Sequence, residues 1–172
     1  MATTRTRGDF ENYIARIQGV VKQLAEIKET FREAIQMNRT YNNVSIAAVP
    51  SQIDKLLVND TEDSEFYSPF NKSLEDAGNI EDTYKIDIRE RGKDSIKAML
   101  NAYRDIRNFI LQEYMPHTRT AFGVNSLENG GAYYQACLDW HLSFKMSPGN
   151  VHQRGLEEVD RIYGEMQKVK LF

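Results

Sequence analysis

The residues IEDTYKIDIRERGKDSIKAMLNAYRDIRNFILQEY, positions 80–114, form the longest helical pattern in this 172-residue sequence and decide its fold class. Apolar residues recur three or four positions apart, as on the buried side of an amphipathic α-helix. Charged residues fill the opposite side. Gly92 is a point where the helix can bend, and Pro116 should end the helix at Tyr114 or Met115, because proline disfavours helical geometry in the preceding residue. The expected buried residues are Tyr84, Ile88, Ile96, Met99, Leu100, Tyr103, Ile106, Ile110 and Leu111.

A second long amphipathic helix is predicted over residues 9–37, with Asp9 as its N-terminal cap. Its apolar stripe is interpreted as core rather than as a groove for a partner. After a polar loop, Pro50 suits the first turn of another helix, which should end near Asn59. Residues 61–70 read as an acidic turn or short helix that stops near Pro69, and their acids lack the spacing of a calcium loop.

These segments predict an all-α protein, an antiparallel helical bundle-like array of about five to six helices. At 172 residues the chain fits a single helical domain, residues 1–172. The net charge of −3, with acids and bases interspersed, argues against a nucleic-acid surface. No apolar run is long enough for a membrane span.

The compartment is suggested by four glycosylation sequons. Each has Asn followed two positions later by Ser or Thr, a signal that matters in secreted chains. A chance cluster in an Asn-rich segment is the alternative. The N-terminus has no apolar run of the kind found in signal peptides, so secretion would require a leader outside this sequence. A single cysteine, Cys137, excludes an intrachain disulfide and a cysteine-based zinc site. The sequons begin at Asn38, Asn43, Asn59 and Asn71.

The richest stretch in polar functional groups is the predicted loop 116–131, which contains His117, Arg119 and Gly123. Loops of this content on a helical scaffold often carry binding function, although a plain interhelical connection has the same composition. Residues 132–144 are apolar around most of the helix and predict a central, deeply buried helix, with His141 as a hydrogen-bonded core histidine. Ser147 and Pro148 are a strong start for a last helix. The expected inner face of that helix is Val151, Leu156, Val159, Ile162, Tyr163 and Met166.

Catalytic patterns are absent from the sequence. There is no HExxH, no serine nucleophile elbow and no cysteine with an evident base. A zinc site made by His117, His141 and His152 would require the fold to bring all three together. The sequence therefore predicts no cofactor.

Residues 114–166 are similar to the N-terminal half of the Domain of Unknown Function 885 family, which resembles zinc metallopeptidases and is mostly helical. The segment 49–70, which ends in Phe66-Tyr67-Ser68-Pro69-Phe70, also resembles that family, so that the likeness covers most of residues 10–168. The residues of the first segment that carry it are Tyr114, Pro116, Thr118, Arg119, Gly123, Leu127, Gly130 or Gly131, Tyr133, Tyr134, Trp140, His141, Ser147, Pro148, His152, Gly155, Glu158 and Val159.

The resemblance implies a metal motif that begins His-Glu and lies far downstream, and this sequence has no His-Glu dipeptide. Zinc hydrolysis needs protein ligands and an open position for water. The expected function is therefore non-catalytic: binding of a peptide, a small molecule or a partner protein. The alternatives are an inactive fragment of a metal-dependent hydrolase and, least favoured, a hydrolase that uses the three histidines. The residues expected to bind the ligand are His117, Arg119, Gly123, Gly131, Tyr133, Tyr134 and His141, with Arg119 as a carboxylate anchor.

If relatives bury these helices against a further half, this chain should expose an apolar strip. A symmetric homodimer that covers the strip is then expected.

Overall fold

The computed structural model describes residues 6–169 and is all-α, as predicted: 77 % of these residues are helical. Within the described residues there is no β-strand, and the one extended contact is an isolated bridge between Asn42 and Arg119. No helix in that range is both long and apolar enough to cross a membrane. The α-helices are α1 (Arg7–Gln36), α2 (Asn43–Ala47), α3 (Val49–Asp54), α4 (Tyr67–Glu75), α5 (Asp82–Phe109), α6 (Gly130–Leu142) and α7 (Pro148–Val169).

The chain divides into two compact units between Thr120 and Ala121. The first unit contains α1 to α5 and the second contains α6 and α7. The single domain expected from the length stays a prediction, and the two units are described separately.

The first helix begins two residues before the position that the sequence suggested. Thr6 is the N-cap of α1, and its side chain accepts a hydrogen bond from the Asp9 N–H at 3.2 Å. The Asp9 carboxylate in turn accepts the Thr6 N–H at 3.0 Å. This reciprocal pair is a capping box, so the prediction of Asp9 as the cap is wrong: Asp9 is the third helical residue.

The two longest helices, α1 and α5, pack side by side and run parallel. Glu11 contacts Arg91 at 2.6 Å near their starts, and Lys28 contacts Asp105 at 2.6 Å further along. The sequence separations of these pairs are 80 and 77 residues. Because the separation stays nearly constant along the two helices, they run in the same direction. The predicted antiparallel arrangement is therefore wrong for this pair. The reason is the long connection through α2 to α4, which returns the chain to the start of α1.

Prolines begin helices in this connection. Pro50 lies in the first turn of α3, as predicted, but α3 ends at Asp54, before Asn59. Pro69 lies in the first turn of α4, so the expectation that a helix stops there is wrong. A proline in the first turn sacrifices no helical hydrogen bond, because the first N–H groups of a helix have no partner within it.

The core of the first unit lies along the α1–α5 pair. Near the helix starts, the ring of Phe70 from α4 packs 5.8 Å from the ring of Phe10 and 5.2 Å from that of Tyr13. Gly92, where the sequence suggested a bend, lies directly against Phe70: a Cβ atom at Gly92 would be 2.4 Å from that ring. Glycine is therefore needed at this position for close approach.

Candidate functional site

The end of α5 turns the chain toward the predicted binding loop. After Phe109 the backbone forms a π-helical turn, Ile110–Tyr114, and then a 3₁₀ turn, Met115–His117. The wider π turn directs Ile110 and Tyr114 into the core, where they are 1 % and 0 % exposed. Leu111 is 42 % exposed, so its predicted burial is wrong.

Tyr114 joins this turn to the segment that follows α1. Its ring lies 4.5 Å from the ring of Phe31, and its hydroxyl accepts the Tyr41 N–H at 2.8 Å. Burial raises the pKa of Tyr114, so the hydroxyl stays neutral at physiological pH. A backbone donor of the exposed residue Tyr41 is thereby satisfied by a buried side chain.

His117 and Arg119 are held against the same segment. The Thr40 hydroxyl donates to the His117 carbonyl at 2.7 Å, and Arg119 Nε donates to the Thr40 carbonyl at 2.7 Å. The Arg119 N–H donates to the Tyr41 carbonyl at 3.1 Å, and the Arg119 carbonyl accepts the Asn43 N–H at 2.8 Å. These bonds, here called the clasp, join residues 40–43 to residues 117–119. The clasp was missed from the sequence because its partners lie about 77 positions apart.

The second unit begins with a tight glycine-containing turn. Gly123 has a φ of 79°, and Asn129, the N-cap of α6, has a φ of 58°. A Cβ atom at Gly130 would lie 1.8 Å from the Val124 carbonyl oxygen, whereas at Gly131 nothing is within 4 Å. Gly130 is therefore required by close backbone packing, and Gly131 is not.

We expect Gly130→Ala to destabilise the second unit by about 3 kcal/mol or more, because backbone cannot yield to a Cβ as a side chain can. Gly131→Ala is the matched control. It should be neutral or stabilise the helix by up to about 1 kcal/mol, since alanine is the better helix former. Hydrogen exchange of the α6 backbone amides measures the stability of the second unit. Equal losses in the two variants would contradict the role of Gly130.

The predicted burial of residues 132–144 is wrong. In α6 only Gly130 is buried. Tyr133 is 62 % exposed, Tyr134 43 % and Trp140 83 %. His141 is also exposed, so it is not a core histidine. A hydrogen bond to the Cys137 thiol raises the pKa of Tyr133. The helical period places these residues on one side of α6. This α6 aromatic face consists of Tyr133, Tyr134, Cys137, Trp140 and His141.

The last helix begins as predicted, because Pro148 is its first residue and the Ser147 hydroxyl accepts the Asn150 N–H at 3.2 Å. Except for the half-buried Val151, its expected inner face is exposed instead, which agrees with the predicted apolar strip. The reason is that no described residue of the second unit covers it. The members of this α7 apolar stripe are 44–74 % exposed: Leu156, Val159, Ile162, Tyr163, Met166 and Val169.

The predicted site residues are divided between the units. His117 and Arg119 belong to the first; Gly123, Gly131, Tyr133, Tyr134 and His141 belong to the second. Across residues 6–169 the structure contains no group of three His, Cys, Asp or Glu side chains that could hold a metal ion.

The four sequons differ in their surroundings. Asn38 and Asn59 are exposed. The Asn71 amide accepts from Arg89 Nε at 2.8 Å and donates to Glu75 at 2.8 Å, and the Asn43 Oδ1 atom is buried. A glycan would suit the first two positions better than the other two.

The architecture is therefore that of an all-α protein with a parallel pair of long helices in its first unit and two largely exposed helices in its second. A family model described as "Bacterial protein of unknown function (DUF885)" matches residues 1–171, and the chain belongs to this family. None of the curated proteins matches the chain significantly.

The fold is similar to that of a solved structure, "The crystal structure of the putative lipoprotein from Colwellia psychrerythraea". The TM-score is 0.82 and the sequence identity is 22 %. The match covers 98 % of this chain and 29 % of that chain, so this chain spans less than a third of the solved protein's length. At this identity the likeness shows the fold alone.

Proposed function

We propose that this chain is a non-catalytic helical binding protein whose binding surface is the α6 aromatic face with the glycine turn before it. The observation that carries the proposal is Trp140, the chain's one tryptophan, which is 83 % exposed on the same side of α6 as Tyr133. Tryptophan and tyrosine are enriched among the residues that dominate binding energy. Their rings bury a large apolar area, while the indole N–H or the phenol hydroxyl can remain hydrated or form a hydrogen bond.

A protein or peptide ligand suits this surface better than a small molecule. The face is an exposed side of one helix rather than a concave pocket, and small-molecule sites are concave and enclose most of their ligand. From the predicted set, Gly123, Gly131, Tyr133, Tyr134 and His141 remain candidates. His117 and Arg119 are left out, because the clasp gives them a structural role and takes up Arg119 Nε.

The test is selection of phage-displayed peptides on the purified chain, followed by affinity measurement with immobilised variants. Trp140→Ala and Tyr133→Ala should each weaken the selected peptides about 30-fold or more, the loss expected for a residue worth about 2 kcal/mol. Tyr163→Ala is the matched control, since Tyr163 is also 62 % exposed but lies on α7. Failure to enrich any peptide, or equal binding by all three variants, would refute the proposal.

A second candidate function is favoured by the length of the solved structure with the similar fold, of whose chain 29 % is covered. If this region is one part of a longer protein, the chain is an inactive fragment of a metal-dependent hydrolase of the zinc-peptidase-like kind. The side chains that bind the metal in such a hydrolase would then lie in a part of the longer protein outside this region. Stoichiometric zinc in the purified 172-residue chain, with peptide hydrolysis that chelation stops, would exclude both candidates and favour a site made by the chain's own histidines.

A further inference from the structure

The turn before α6 contains the dipeptide Asn129-Gly130, and no other asparagine of the chain is followed by glycine. In such a dipeptide the side-chain amide carbon of asparagine can close a five-membered ring with the next backbone nitrogen, and glycine has no side chain that hinders the approach. The other eleven asparagines are followed by larger residues. Asn129 is therefore the position where a reaction between side chain and backbone meets the least steric resistance.

The side chain of Asn129 is not held by the helix that it caps. Asn129 is exposed, and its side chain makes no cap hydrogen bond although it is the N-cap of α6. An N-cap residue normally has extended geometry, and its side chain accepts an N–H of the first helical turn. Asn129 instead has left-handed geometry, with φ 58° and ψ 13°, so its amide is left without this bond.

The closed turn nevertheless keeps the reacting atoms apart. Ring closure requires the Gly130 nitrogen to lie on the same side of the Cα–C bond as Asn129 Cβ, which in an L residue needs a strongly negative ψ. At a ψ of 13° the nitrogen is turned away. The Gly130 N–H also donates to the Leu127 carbonyl at 2.9 Å, and Gly130 packs closely against the Val124 carbonyl. The reaction therefore requires the turn to open.

Opening of this turn should need much less free energy than unfolding of the whole chain, because little of it is buried. In α6 only Gly130 is buried, and Val124 and Leu127 in the turn are half-buried. Segments with few buried apolar contacts open locally, at free energies well below that of global unfolding. The turn is thus closed most of the time and opens repeatedly while the rest of the chain stays folded.

We propose that Asn129 is a site of covalent self-modification, at which the opened turn converts Asn129-Gly130 into an isoaspartyl linkage. The Gly130 nitrogen gives up its proton and bonds to Asn129 Cγ, the bond from Cγ to Nδ2 breaks, and ammonia leaves with the proton. Water then adds to one carbonyl carbon of the cyclic imide and breaks its bond to the ring nitrogen. Addition at Cγ leaves aspartate at position 129, and addition at the main-chain carbon leaves isoaspartate, whose peptide bond runs through the side chain.

The isoaspartyl form cannot rebuild the turn. Its main chain has one more carbon before Gly130, where even a Cβ atom would lie 1.8 Å from the Val124 carbonyl oxygen. The Asn129 carbonyl, which accepts the Tyr133 N–H at 3.0 Å, becomes a carboxylate outside the main chain. The modification therefore unwinds the start of α6. It acts on the helix itself, so the inference does not depend on what the α6 aromatic face binds.

Incubation of the intact chain in mildly alkaline buffer, followed by peptide mass spectrometry, locates the modification. We expect the mass gain that accompanies exchange of an NH2 group for OH to appear first at Asn129. It should accumulate at least about tenfold faster when urea unfolds the chain, which corresponds to an opening free energy of about 1.4 kcal/mol or more.

Gly130→Ala tests whether the turn protects Asn129. The added Cβ forces the turn open, so the rates with and without urea should agree within about threefold. Both should be slower than the rate of the unaltered chain in urea, because alanine hinders ring closure.

Asn129→Asp separates the lengthened main chain from the added charge. It keeps the normal peptide bond, and a carboxylate is favourable at a helix N-terminus, so hydrogen exchange of the α6 amides should be no faster than in the unaltered chain. In the isoaspartyl fraction, isolated by chromatography, the same amides should exchange at least about tenfold faster.

Three outcomes would overturn the proposal. The first is an unmodified Asn129, or earlier modification of another asparagine such as Asn125. Equal rates for the unaltered chain with and without urea would show that the turn does not control the reaction. Exchange in the isoaspartyl fraction as slow as in Asn129→Asp would show that the turn survives the change. None of these measurements uses a bound peptide, so they stand apart from the test of the α6 aromatic face.

Discussion

Tyr114→Ala is expected to lower the free energy of unfolding of the first unit by about 3–5 kcal/mol, the usual cost of removing a large buried aromatic side chain. Tyr114 is fully buried, lies against Phe31 and Phe109, and accepts the Tyr41 N–H. The alanine variant loses this packing and the acceptor of the Tyr41 N–H together. Urea unfolding followed by far-ultraviolet circular dichroism measures the loss, assuming a linear dependence on urea.

Two further variants separate packing from hydrogen bonding. Tyr114→Phe keeps the ring and should cost about 1–3 kcal/mol, because the Tyr41 N–H is left without an acceptor. Tyr41→Phe keeps that backbone donor and removes only an exposed hydroxyl, so it should change stability by less than about 0.5 kcal/mol. A Tyr114→Phe variant as stable as the unaltered chain would show that the stability of the first unit does not depend on this bond.

Phe70→Ala is expected to destabilise the first unit by about 3–5 kcal/mol. Phe70 is 3 % exposed and packs against Phe10, Tyr13 and Gly92. Gly92→Ala should itself cost about 1–3 kcal/mol, because its Cβ overlaps the Phe70 ring, even though alanine favours the helix by about 1 kcal/mol.

The two substitutions should be strongly coupled. In the Phe70→Ala background the overlap disappears, so Gly92→Ala should become neutral or stabilising. A double-mutant cycle measures this coupling directly. Gly19→Ala is the control: Gly19 is in α1, nothing lies within 4 Å of its Cβ position, and we expect stabilisation of up to about 1 kcal/mol. Additive effects of Phe70→Ala and Gly92→Ala would contradict the close approach seen here.

The exposed helices of the second unit bear most directly on function. Both α6 and α7 present large apolar or aromatic side chains to solvent, and large exposed apolar patches mark interaction surfaces in natural proteins. The peptide selection tests the α6 aromatic face through Trp140 and Tyr133.

The exposed surfaces could be anticipated only in part. Both helices were predicted close to their observed limits, because apolar spacing and the Ser147-Pro148 start are local signals. For α6 the prediction of deep burial failed. Apolar content alone does not distinguish a core helix from an interface helix, and both use Tyr and Trp. The position of Trp140, Tyr133 and Tyr134 in a single short helix was the available signal, since these residues are enriched at interfaces.

The sequence by itself determined the all-α class, the long helices and the family, because helical periodicity and motif spacing depend on residues near one another in the chain. Only the tertiary structure decided that α1 and α5 run parallel, that Thr40 and Tyr41 hold His117 and Arg119, and that α6 and α7 remain exposed. These features depend on contacts between residues far apart in the sequence, or on the lack of such contacts. Local spacing predicts which side of a helix is apolar, but what covers that side is set by the rest of the fold.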